Sequence, residues 1–127
     1  VIAHTIRLSI PPYPSEAVEP GEKASSIGVG IDGIDGYWDG HFIAYDLMLD
    51  EHGHAMATSE GVVGLAYAEG KSLARLNKTV VDYAKDELRI PGLMFRTDAD
   101  KAIGADAKKL EAAGVEVPQG LLPEEDE

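Results

Sequence analysis

The residues best equipped for chemistry are the histidines and the acids beside them. His52 and His54 flank Gly53, Asp50 and Glu51 immediately precede them, and His41 lies upstream. Imidazole with carboxylate is ordinary material for a zinc, iron or manganese centre bound without thiolates, and for general acid–base catalysis. The spacing does not favour a metal. Neither His-x-x-x-His nor His-Glu-x-x-His occurs, so no two imidazoles are set on one helical face. On an extended chain His52 falls at a turn tip while His54 points another way. The expected arrangement is therefore an Asp50–His54 pair closing the end of a hairpin, and no metal or other cofactor is expected.

Asp32, Asp35 and Asp39, set among Gly33, Gly36 and Gly40, offer the hard oxygens that calcium takes. Their spacing is not the alternating Asp-x-Asp-x-Asp-Gly, and Gly28-x-Gly30-x-Asp32 is one copy of a pattern that needs stacked repeats. Backbone turns explain the segment more simply. Residues 28–33 also satisfy Gly-x-Gly-x-x-Gly, but the Ile-Asp-Gly-Tyr-Trp-Asp-Gly that follows would not form the helix a pyrophosphate site requires. No Gly-x-Ser-x-Gly elbow occurs, and Gly70-Lys71-Ser72 lacks the earlier glycine of a phosphate loop, residue 65 being Leu. The absence of cysteine excludes disulfides, iron–sulfur clusters and thiol nucleophiles. What remains is aromatic: Tyr37 and Trp38 in a glycine-rich segment, with His41 and Phe42 just beyond. Such a cluster anchors a partner, or Trp38 plugs one end of the core.

Charge narrows the partners further. The 127 residues carry 23 acids against 11 cations, a formal net charge of −12. A chain this acidic repels phosphate backbones, so nucleic acid is not an expected partner. No apolar run is long enough to span a bilayer and no targeting segment is seen, so no membrane association is expected either. Residues 1–66 hold two of the cations and ten of the acids, residues 67–97 six and four, and residues 98–127 three and nine. The central stretch alone is locally basic, suited to meeting the acidic flanks or an acidic partner.

These groups must be positioned by a small set of elements. Residues 2–10 place Ile2, Ile6, Leu8 and Ile10 on one side and Ala3, Thr5, Arg7 and Ser9 on the other, the pattern of a half-buried strand. Pro11-Pro12-Tyr13-Pro14 ends it and opens an exposed, proline-rich loop over residues 11–25. Residues 27–31 resume a strand-like alternation. Residues 41–50 and 54–64 then read as a long hairpin about Glu51-His52-Gly53, with Gly53 in the left-handed position of a type I turn with a bulge. The register follows: Leu49 opposite Ala55, Leu47 opposite Ala57, Ile43 opposite Gly61. Ile43, Tyr45, Leu47 and Leu49 would then face a row of small residues, leaving room for a helix to pack.

From about Ala66 to Leu88 the apolar residues recur at three- and four-residue steps, predicting the main helix, with Gly70 allowing a start nearer Lys71. A second helix runs from a cap at Thr97 or Asp98 to Ala113, stopped by Gly114. Val115 and Val117 suggest an edge strand, and residues 118–127 an acidic flexible tail. The fold class expected is α+β: a small antiparallel sheet of N-terminal strand, glycine-rich strand and hairpin, packed on one main helix with a second short helix. Residues 1–117 form a single domain in this reading. The function expected is that of a non-enzymatic structural or interaction subunit, self-associating or built into a larger protein assembly. Tyr37, Trp38, His41, Asp50 and His54 are the candidate contact residues. The alternative is a small enzyme or ligand-binding protein using His and Asp near residues 39–54.

Overall fold

A computed structural model of the chain describes residues 1–11, 13, 27–34, 41–58 and 61–123. Its first element, β1 (Ile2–Ser9), buries Ile6 and Leu8 and exposes Ala3, Thr5 and Arg7, as side-chain alternation on a strand requires. Four further strands follow: β2 (Phe42–Ala44), β3 (Leu47–Leu49), β4 (Ala55–Ala57) and β5 (Val62–Gly70). Among the described residues two helices, α1 (Leu73–Asp86) and α2 (Ala99–Ala112), follow, with a 3₁₀ turn at Gln119–Leu121. The architecture is α+β, an antiparallel sheet packed on a main helix with a second helix beside it.

The three-stranded sheet has the order β1-β5-β2, every pair antiparallel. β5 is central: Ile2 stands opposite Gly70 and Leu8 opposite Gly64 on one side, and Phe42 opposite Ala66 on the other. Residues 66–70, read from the sequence as the opening of the main helix, are therefore strand. Ala66 and Ala68 favour a helix locally, but here they form the buried row of a strand with neighbours on both edges. Their small side chains let α1 lie close across β1 and β5. That helix contributes Leu73, Leu76, Val80, Val81, Tyr83 and Ala84 to the core, one face at three- and four-residue steps.

The expected hairpin holds only at its tip. β3 and β4 pair Leu47 with Ala57, Met48 with Met56 and Leu49 with Ala55, the register read from the turn. Nearer its base the pairing slips: Ile43 stands opposite Leu65 instead of Gly61. The slip accompanies Gly61, whose φ of +78° turns the chain and whose carbonyl accepts the Ile10 N–H at 2.8 Å. The proposed packing face is corrected with it. Phe42 is buried, its ring over Gly64, whereas Ile43, Tyr45 and Leu49 face outward and only Leu47 of that row packs on the core.

The glycine-rich segment lies along the other edge of β4. Gly28 N–H donates to Ala57 O, Ala57 N–H to Val29 O and Ile31 N–H to Ala55 O, each at 2.9–3.0 Å. Asp32 then exchanges main-chain hydrogen bonds with Arg89, just past α1. At the opposite end, Met94 exchanges two with Ser9 of β1. α2 keeps its expected limits, with Asp98 at its start and Gly114 at φ +87° after it. Val115 forms no strand; its N–H returns to Leu110 O and closes the helix. In the 3₁₀ turn Gly120 sits against the Lys71 carbonyl, and Pro123 against Gly104 of α2. Most of the proline-rich loop and the terminal acids 124–127 lie outside the described residues.

Candidate interaction surface

The hairpin tip is built by its own side chains. Asp50 Oδ1 accepts the N–H groups of His52 and His54, both at 2.8 Å, while the main chains of Asp50 and His54 pair at 2.9 Å. Gly53, at φ +80°, turns the chain between them. The second carboxylate oxygen lies 3.3 Å from His54 Nδ1, so the Asp50–His54 pair read from the sequence is formed. The His54 N–H holds the Asp50 carboxyl below its ordinary range against an opposing desolvation, with further help from the His52 N–H and the His54 ring.

His41 is placed elsewhere. It is half-buried at the start of β2, where Nδ1 lies 3.2 Å from the Tyr67 carbonyl and its ring 6.0 Å from that of Tyr83. Tyr37 and Trp38 lie outside the described residues. Among the described residues no three His, Asp or Glu side chains converge to hold a metal ion, and no helix is long and apolar enough to cross a membrane.

What the sequence reading missed on the surface is the displaced row. Tyr45 and Leu49 are each 70% exposed and Ile43 is 42% exposed. These side chains follow one another along a stretch, residues 41–49, whose single acid is Asp46 in a chain holding 23. Among the described residues β2 is also an edge strand. The N–H of Tyr45 and the C=O of His41 bond to β5, so the main-chain groups of Phe42 and Ala44, of opposite parity, point to the open edge. The signal in the sequence was present but ambiguous, because Ile43-Tyr45-Leu47-Leu49 alternates equally well for either face.

A buried polar contact also escaped notice. His4, inward on β1, places Nε2 2.9 Å from Asn77 Oδ1 on α1. Asn77 Nδ2 in turn donates to the Thr97 carbonyl at 2.9 Å and to Asp100 Oδ1 at 3.2 Å. One side chain thus ties the sheet and main helix to the entry of α2. Position 4 shares the parity of Ile2, Ile6 and Leu8, and position 77 falls in the spacing of Leu73 and Val80; both were legible as inward sites.

Comparison of the chain with protein-family models and with curated proteins finds no match.

Proposed function

We propose that this chain is an interaction module that self-associates through the β2–β3 edge. The observation that carries this reading is the exposure of Ile43, Tyr45 and Leu49 along a stretch depleted of charge in a chain of net −12. Large apolar and aromatic side chains gathered beside an open strand edge are characteristic of protein contact surfaces, and charge depletion marks their centres. A second copy fits best. Antiparallel pairing of β2 with its equivalent about a two-fold axis continues the sheet, satisfies the open main-chain groups and covers Ile43 and Tyr45 on both copies. The low local charge spares this seam most of the repulsion that two such acidic chains would meet elsewhere.

Sedimentation of the native chain beside Ala44→Pro and Tyr45→Ser/Leu49→Ser tests the proposal. Proline at residue 44 removes an N–H that faces the open edge, so the fold should tolerate it while edge pairing does not.

A second reading rests on a separate feature. His54, oriented by Asp50, lines a depression of about 630 Å³ with Asp32 and Arg89. An imidazole held by a carboxylate is a competent general base. On this reading His54→Ala abolishes ligand binding or turnover and leaves self-association unchanged.

A further inference from the structure

A second strand edge, on the opposite side of the sheet, carries a different chemistry. β1 is the other edge strand. Beside it runs a groove of about 570 Å³ lined by Thr5, Arg7, Tyr13, Phe95, Arg96 and Ala99, among other residues. Two independent observations fix which main-chain groups of β1 face this groove. Ser9 uses its N–H and C=O on Met94, across the groove side of the strand, so Arg7 and Thr5, of the same parity, face that side as well. Tyr67 and Leu65, their opposite numbers on β5, bond toward β2 and not toward β1. Among the described residues the edge is therefore open at Thr5 and Arg7 and already occupied at Ser9, where Met94 demonstrates antiparallel pairing.

The groove is also cationic in an acidic protein. Among the described residues its lining includes two arginines and no acid. Arg7 gives one guanidinium N–H to the Tyr13 hydroxyl, and its carbon lies 5.5 Å from the centre of that ring. Arg96 is braced by Asp98 through Nε at 3.0 Å and Nη2 at 3.1 Å, which leaves Nη1 for another acceptor. A guanidinium fixed by one carboxylate is oriented to receive a second.

We infer that this groove binds an extended acidic peptide from a partner protein, added as a strand to β1. Its main chain pairs with Thr5 and Arg7. Carboxylates at alternate positions meet the two arginines, and the intervening apolar side chains lie toward Phe95 and Ala99. Charge complementarity selects an acidic occupant, because Arg7 and Arg96 would repel a basic one.

Fluorescence anisotropy with the labelled peptide Val-Glu-Val-Glu-Val-Glu, titrated with the full chain, tests the inference. The peptide should bind and the Val-Lys counterpart should not. Arg7→Gln and Arg96→Gln should each weaken binding roughly tenfold, the loss expected for one charge-assisted contact. N-methylation of alternate peptide nitrogens, which alters no residue of the protein, should abolish binding in the register that faces β1. Equal binding of the Lys peptide, or indifference to N-methylation in both registers, would overturn the proposal. So would absence of binding by the Glu peptide. If the peptide binds only after removal of residues 124–127, the occupant is the chain's own acidic run and the partner proposal fails. If self-association is lost in the arginine variants, the occupant is a second copy, with the same consequence.

Discussion

Ile43 stands directly opposite Leu65 on β5, on the side of the sheet turned away from α1, while its neighbour Phe42 is buried over Gly64. The two residues of one short strand therefore have opposite duties. Phe42 belongs to the core and Ile43 to the surface. Phe42→Ala should cost about 3–5 kcal/mol of folding stability, because it empties a buried ring site that Gly64 cannot refill. Ile43→Ser should cost the isolated monomer less than about 1 kcal/mol, within the range of surface substitutions. Chemical denaturation of both variants, at a concentration low enough to keep the chain monomeric, measures the pair. Reversed magnitudes would put the faces the other way round.

Asn77 offers a different test, since its amide is shared between His4, Thr97 and Asp100. Asn77→Ala should destabilise by roughly 1–3 kcal/mol, because it leaves the buried His4 ring without its partner. The loss should also reach α2. Amide exchange around residues 97–101 should accelerate more than exchange at the hairpin tip.

The carboxyl of Asp50 titrates below its ordinary value in the folded chain, held mainly by the His54 N–H. A group whose pKa falls on folding stabilises above its unfolded value, about 3.9, and loses that contribution as pH falls through the lower folded value. Asp50→Ala should accordingly lower the melting temperature near neutral pH. The gap between variant and native chain should shrink as pH is taken from about 5 to below 3. Melting curves across that range check the sign; a gap that widens with acid would contradict it.

Gly120 places its α-carbon so close to the Lys71 carbonyl that an added β-carbon would lie 2.0 Å from that oxygen, with Ile2 Cδ1 at 3.3 Å. Gly120→Ala should therefore lift the 3₁₀ turn from the start of β1 and cost more than about 1 kcal/mol. Thermal melting reads the effect. An unchanged curve would mean that residues 118–123 contribute nothing to the fold.

Where the sequence was legible, the determining interactions were local. The tip at residues 50–54 follows from Asp50 and Gly53 alone and the end of α2 from Gly114, whereas Asp98 stands at the start of α2 without capping it, its carboxylate being held by Arg96. β5 was not legible at its C-terminal half. Alanines suit a helix as well as a strand, and only pairing with β1 and β2 at once decides between them. The register of β2 failed for a related reason: the slip of four residues is absorbed between β4 and β5, around Gly61, and alternation carries no record of it. Of the candidate contacts, Asp50 and His54 came together as read and His41 went to Tyr67 and Tyr83; of the apolar row meant for the core, Leu47 stayed with it while Ile43, Tyr45 and Leu49 became surface.

The measurement that bears most directly on the central claim is sedimentation velocity of the native chain, Ala44→Pro and Tyr45→Ser/Leu49→Ser over a range of concentrations, with melting curves recorded in parallel. The native chain should sediment as a reversible dimer. Both variants should sediment as monomers, with melting curves matching that of the native chain diluted to monomer. A native chain that remains monomeric throughout, or variants that associate as it does, would contradict the assignment of the β2–β3 edge as the contact surface.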